Sequence, residues 1–349
     1  MEDILEILDQ LPFSKKKTVL ATIIHVEGSA YKREGSCMLI AEDGTQIGML
    51  SAGCLEEDVS WRAKEVLEKD EATVITYDLR DETDLAWGQG SGCNGILSIL
   101  LQPVNERINE QLMRIKTLLD EGESILHIKR FSKDFKLISE WYCPTNGEPF
   151  GDEAFIWNPP EKFPEKDGLF YTDELNHLYI HIYRPRPRLI VFGAGEDAKP
   201  LVNIAAEVGF SVTVCDWRPA LCNQMNFPNA KCFEIGFPHE LGNKLSFTNN
   251  DFVILMTHHF QRDKELLSFL KQKDLNYLGV LGPRKRTARL LEEKEVPDCI
   301  FSPVGMNIHA RGAEEIAISI VAEMIQVLRE GEKNERKQDY WNLSCRRSE

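Results

Sequence analysis

The sequence predicts an α/β chain in two parts, a mixed α+β N-terminal domain and then a doubly wound parallel-sheet domain. Three observations carry this. The 349 residues are more than one ordinary hydrophobic core holds. From Arg188 the apolar run RLIVFGAG ends in glycines, and a helix and the apolar strand SVTVCDW follow, making one Rossmann-like strand–turn–helix–strand unit. Just before it, prolines 185 and 187 in YRPRPR prevent regular pairing and stiffen the chain, as a connector does. The expected divisions are 1–184 for the mixed α+β N-terminal domain, including a β-rich middle segment, 185–331 for the Rossmann-like C-terminal domain, and 332–349 for a polar tail.

Each element has its own reason. Ile4, Leu5, Ile7, Leu8 and Leu11 recur along one helical face. TVLATIIHVEG (18–28) is a strand by its β-branched content, and CMLIAEDGTQIGML (37–50) is a hairpin turning at Asp43-Gly44. LEEDVSWRAKEVLEK (55–69) changes to helical spacing; ATVITYD (72–78) and GILSILLQPV (95–104) return to strands. NERINEQLMRIKTLLDEG (105–122) is an amphipathic helix stopped by Gly122. Short strand candidates follow in ESILHIKRF, FKLISEWYC, EAFIWN and LYIHIYRP. In the second domain DFVILMTHH (251–259) and YLGVLGP (277–283) are further parallel strands.

Composition narrows the function classes. A net charge of -15 repels phosphate backbones and argues against nucleic acid as a partner. No apolar run reaches the length of a membrane span. MEDILEILDQLPFSKKK places acidic residues before basic ones, the wrong order for a secretory signal, so a cytoplasmic protein is expected. Nine cysteines without a CxxC pair predict neither a disulfide framework nor a zinc knuckle, and no metal site is expected.

Chemistry concentrates at two places. Gly193, Gly195 and Ala198 fit G-x-G-x-x-A, with glycines for the tight turn and for the approach of a phosphate. Asp216 ends the second strand, where an acid takes ribose hydroxyls. Glu196 and Asp197 complement the helix dipole but repel a dinucleotide phosphate, which disfavours NAD(P) despite the fold. His258 and Arg284 fall at the same carboxyl edge: His258 as a packed residue or an acid/base, Arg284 as an anion contact or a solvated helix start. In the first domain, Gly53, Cys54 and Glu56 lie in SAGCLE, and Gly92, Cys93 and Gly95 in GSGCNG. Cys54 precedes a helix whose dipole favours a thiolate, although Glu56 and Glu57 oppose it. For each thiol a structural reading stands beside the functional one. Lys32 and Arg33 sit in EGSAYKREGSCM, which suits an anion-holding loop or a plain surface turn.

Taken together, ATIIHVEGSAYKREGSCMLI, IGMLSAGCLEEDV, GSGCNGILSILLQP, RLIVFGAGEDAKPLVNIAAEVGFSVTVCDWR, VILMTHHFQRDKELL, YLGVLGPRKR and SPVGMNIHARGAEEIAISIVAEMI resemble the XdhC/CoxI family, accessory factors for molybdenum hydroxylases such as xanthine dehydrogenase. The resemblance implies a maturation factor that binds the molybdenum cofactor (molybdopterin) and delivers it to the apo hydroxylase, rather than a catalyst. It implies that hydroxylase as partner, with a cofactor sulfurase upstream. It places Gly53, Cys54, Glu56, Gly92, Cys93 and Gly95 in the signature loops, with Ala52 and Asn94 where the family commonly has glycine. Gly28, Ser29, Lys32 and Arg33 would help hold the cofactor, and Gly193, Gly195, Asp197, Asp216, His258 and Arg284 would line one edge of the second domain. A homodimer would offer a seam for shielding the cargo. The alternative is an NAD(P)-dependent oxidoreductase using the Gly193 turn, with His258 as its acid/base.

Overall fold

In a computed structural model the described residues are 3–11, 16–80, 94–152, 167–171 and 176–345, with side chains described as far as Gly331 in the last helix. The expected strand EAFIWN, together with Gly92 and Cys93, lies outside them. The chain divides into two compact units whose main spans are Glu2–Pro185 and Arg186–Gln338.

The first unit begins with α1 (Asp3–Gln10), β1 (Thr18–Ser29), β2 (Cys37–Ala41), β3 (Gln46–Gly48), α2 (Glu56–Lys69), β4 (Thr73–Asp78) and β5 (Asn94–Pro103). These strands form an antiparallel sheet in the order β3-β2-β1-β5-β4. Then α3 (Glu106–Asp120) leads to β6 (Ile125–Ser132), β7 (Leu137–Pro144), β8 (Phe150–Gly151), β9 (Gly168–Tyr171) and β10 (Asn176–Tyr183), a second antiparallel sheet ordered β8-β7-β6-β10-β9. Asn105 caps α3, its side chain accepting the Ile108 amide at 3.0 Å.

β1 explains why both of its faces are apolar. Val19, Ala21 and Ile23 pack with Val59, Ala63 and Val66 of α2. On the opposite face Leu20 joins α1 and α3, while Ile24 and Leu100 meet Phe131 and Tyr179 of the second sheet. A strand covered on both faces reads as a continuous hydrophobic run.

The second unit runs β11 (Arg188–Phe192), α4 (Ala198–Glu207), β12 (Ser211–Asp216), β13 (Cys232–Ile235), α5 (Pro238–Lys244), β14 (Phe252–Leu255), α6 (Phe260–Leu270), β15 (Tyr277–Val280), α7 (Arg284–Leu291) and α8 (Gly312–Cys345). Its sheet is parallel throughout, ordered β13-β12-β11-β14-β15. This is the doubly wound order, with the chain reversing direction beside β11. Leu201, Val202 and Ala205 of α4 pack with Ile320, Val321 and Met324 of α8 on one face. Leu241, Leu266, Leu267 and Leu290 of α5, α6 and α7 cover the other. α8 continues to Cys345, where composition suggests a separate polar tail. The Glu, Lys, Arg and Gln of that stretch are polar, and they are also good helix formers.

Candidate functional site

At the carboxyl edge of the parallel sheet, Gly193 leaves β11 with φ 121 and donates its amide to Cys215 O at 2.9 Å. A β-carbon there would press on the Met256 carbonyl, so only glycine lets the turn pass this close to the end of β14. Asp216 ends β12, buried, and braces this turn. It accepts the Ala194 amide at 2.8 Å, the Arg218 amide at 2.8 Å, and Arg218 Nε and Nη2 at 2.9 and 2.8 Å. Burial works against its charged form, but the Arg218 guanidinium and these amides outweigh it and hold the carboxyl below its ordinary value. The carboxylate expected to take ribose hydroxyls therefore already has its acceptor sites filled.

The other acids of the edge are matched as well. Lys199 Nζ lies 2.7 Å from Glu196 Oε1, and His258 Nε2 lies 2.6 Å from Asp197 Oδ2. Glu196 and Asp216 each hold a cationic partner, so the repulsion of a phosphate expected from sequence falls on Asp197, whose partner is the His258 imidazole. His258 reaches Asp197 from the end of β14 by adopting a left-handed φ of 58. Asp197 in turn lies over Gly195, where a β-carbon would fall 2.6 Å from its Oδ1.

Arg284, expected as an anion contact, donates to Val296 O at 2.8 Å and Ser302 O at 3.4 Å. It ties the loop after α7 to the segment preceding α8. Arg286 is paired with buried Asp263 at 2.5 Å, and Thr257 Oγ1 donates to the same carboxylate at 2.5 Å.

Two residues that pattern reading misses stand beside this turn. The Arg262 guanidinium lies 3.3 Å from the Trp217 ring centroid and 5.3 Å from that of Phe237. Its buried Nη1 has no hydrogen-bond partner, and no carboxylate among the described residues pairs with it. The available signals are a Trp directly after the strand-ending acid and an Arg in the first turn of the helix after Thr257-His258-His259.

In the first unit the SAGCLE loop is organised by Glu56. Its carboxylate accepts the Leu50 and Ser51 amides at 3.0 and 2.7 Å, the Ser51 hydroxyl at 2.6 Å, and the Gly53 and Leu55 amides at 2.9 and 3.2 Å. Burial opposes the charge, but the Ser51 hydroxyl and the surrounding amides outweigh it and lower the Glu56 carboxyl. The loop's own acid thus takes amides that a ligand would otherwise use. Cys54 stands half-exposed at its tip, between exposed Gly53 and buried Leu55. Gly95 pairs with Gly28 across β5 and β1; a β-carbon at 95 would fall 2.5 Å from Glu27 O, so close strand approach accounts for this glycine. Lys32 is half-buried and Arg33 exposed in the turn between β1 and β2.

The same unit encloses charge in its interior. Lys129 Nζ, 1% exposed, donates to Glu140 Oε1 at 2.6 Å and Gln102 Oε1 at 2.5 Å. Glu140 also bonds Gln102 Nε2 at 2.7 Å, His127 Nε2 at 2.8 Å and the Tyr142 hydroxyl. Burial pushes His127 down to about 4, leaving a neutral imidazole stacked on Tyr142 at 4.5 Å. Among the described residues no group of His, Cys, Asp or Glu could hold a metal ion, and no helix is long and apolar enough to cross a membrane.

Known proteins resemble this chain along nearly its whole length. The profile for the XdhC Rossmann domain matches residues 189–324, that for the XdhC and CoxI family residues 14–78, and that for a BH1974-like central domain residues 106–184. A Bacillus subtilis (strain 168) protein, described as a probable component of xanthine dehydrogenase, is 39% identical over 327 residues, covering 91% of this chain and 96% of that protein. The molybdenum cofactor insertion chaperone PaoD of Escherichia coli (strain K12) is 24% identical over 328 residues, covering 90% of this chain and 84% of its own. A crystal structure described as a xanthine dehydrogenase (BH1974) from Bacillus halodurans superposes with a TM-score of 0.85 at 44% identity, covering 95% of this chain and 96% of the other.

Proposed function

The chain belongs to the XdhC/CoxI family, and from that premise we propose that it binds the molybdenum cofactor as cargo and delivers it to an apo molybdenum hydroxylase of the xanthine dehydrogenase type. The observation that carries this is the match, along 90% of this chain, to a relative named as a molybdenum cofactor insertion chaperone. A maturation role fits the site chemistry. The cargo offers a pterin, a phosphate ester and a dithiolene-held metal, which call for amide donors, cationic side chains and a soft thiolate.

Cys54 is the described residue best suited to that donor role. Its thiol is half-exposed beside a glycine, on a loop that Glu56 holds in shape without using the sulfur. Cys93, flanked by Gly92, is a second candidate on sequence grounds. Lys32 and Arg33 supply cationic side chains for the phosphate ester.

The test is equilibrium binding of molybdopterin to the full chain, followed by transfer to apo hydroxylase. About one site per chain is expected, with weaker binding in Cys54→Ser and Cys93→Ala. Absence of pterin binding by the unaltered chain overturns the reading; undiminished binding in a variant removes that thiol from the site.

A further inference from the structure

We propose that the second unit holds a separate site for a phosphate monoester on the ribose of a nucleotide, formed by Arg262 and Trp217 at the end of β12. This goes beyond cofactor delivery and does not depend on it.

The order β13-β12-β11-β14-β15 puts the loop after β12 next to the glycine turn. In doubly wound folds a nucleotide laid along this edge directs its phosphates at the first turn and its ribose toward the end of the second strand. A plain ribose diol finds no open acceptor at that point here. Both oxygens of Asp216 are occupied by the Ala194 amide and by Arg218.

Positive charge stands beside it instead. Arg218 is neutralised by Asp216, from which its Nη2 lies 2.8 Å. Arg262 is not neutralised by any described carboxylate. Its guanidinium is fixed against Trp217 at 3.3 Å, and its buried Nη1 carries an N–H with no acceptor. A guanidinium already stacked and oriented loses little freedom on meeting an anion. A phosphate monoester supplies the counter-charge that this guanidinium lacks among the described residues; a hydroxyl supplies neither charge nor a second oxygen for the fork. The Phe237 ring, 46% exposed and 5.3 Å from the same guanidinium, provides apolar surface for the attached nucleoside.

The experiment titrates the full chain with adenosine 2′,5′-bisphosphate and with adenosine 5′-monophosphate, following tryptophan fluorescence and confirming by calorimetry. The bisphosphate is expected to bind at least about tenfold more tightly, the value of one charge-assisted hydrogen bond. Arg262→Gln should abolish that preference while leaving the monophosphate affinity unchanged. Arg262→Lys, which keeps the charge but not the planar fork, should retain only part of it. Thermal unfolding of each variant checks that the fold is intact. Equal affinities for the two nucleotides, no binding of either, or a preference that survives in Arg262→Gln each overturns the proposal. Molybdopterin binding, measured on the same preparations, is expected to be indifferent to Arg262→Gln, so failure here and failure of the delivery reading are told apart.

Discussion

The Asp197 carboxylate lies across the α-carbon of Gly195, with a β-carbon at 195 falling 2.6 Å from Oδ1, and is held there through Oδ2 by His258 at 2.6 Å. The glycine that would admit a phosphate to the backbone is thus covered by an anion of the chain itself. Asp197→Ala is expected to tighten binding of adenosine diphosphate by about tenfold, because a negative charge leaves the approach path. Calorimetric titration of variant and parent checks this. An unchanged affinity would mean that the phosphates do not use Gly195.

Gly193→Ala combines a left-handed φ of 121 with a β-carbon on the Met256 carbonyl. The expected loss is about 2–4 kcal/mol of stability. Urea denaturation monitored by tryptophan fluorescence reads it as a lower midpoint with an unchanged slope.

Glu56 gathers four backbone amides and one hydroxyl. Glu56→Ala leaves those donors short of acceptors and should cost about 2–3 kcal/mol. The pH dependence has a definite sign. The folded carboxyl titrates below its ordinary value of 4.5, so its stabilisation is present above that pH and is lost as pH falls through the folded value. The melting temperature of Glu56→Gln should therefore fall less steeply with acid than that of the parent.

Lys129 and Glu140 form an ion pair from which neither partner can be taken singly. Lys129→Met strands the Glu140 charge in the interior and should destabilise by about 3–5 kcal/mol, while Lys129→Met with Glu140→Gln should recover much of that loss. A double-mutant cycle from denaturation midpoints measures the coupling; simple additivity would contradict it.

His127 is pushed by burial from 6.5 down to about 4. Its folded value is depressed, so the neutral ring favours the fold above the unfolded value, and that contribution is lost as pH falls from 6.5 toward 4. With the site fully buried, the loss is on the order of 3 kcal/mol. His127→Asn should remove this part of the acid sensitivity, as seen in unfolding curves between neutral and mildly acidic pH.

Long periodic elements are legible from sequence, and so is the parallel sheet. The runs RLIVF, SVTVCD, FVIL and YLGV are apolar because both faces of that sheet are covered by helices. β13 escapes because CFEI is a short edge strand with exposed and half-exposed positions. Side-chain partnerships are the least legible part. His258 and Asp197 are 61 positions apart, and Arg188 meets Asp251 across 63. Acids beside the glycine turn therefore read as bare charges, when folding supplies each with a basic partner. The Arg262–Trp217 stack is equally silent in spacing, because it joins a helix start to the end of a strand placed two positions away across the sheet.

The pairing of Glu196 with Lys199 and of Asp216 with Arg218 makes the edge an ion exchanger. A phosphorylated ligand arriving there trades one set of partners for another instead of adding its charge to a bare field. Electrostatic steering from a distance is therefore weak, since matched charges cancel beyond a Debye length of roughly 8 Å at physiological salt. Ionic strength should accordingly move the dissociation rate of such a ligand more than its rate of arrival.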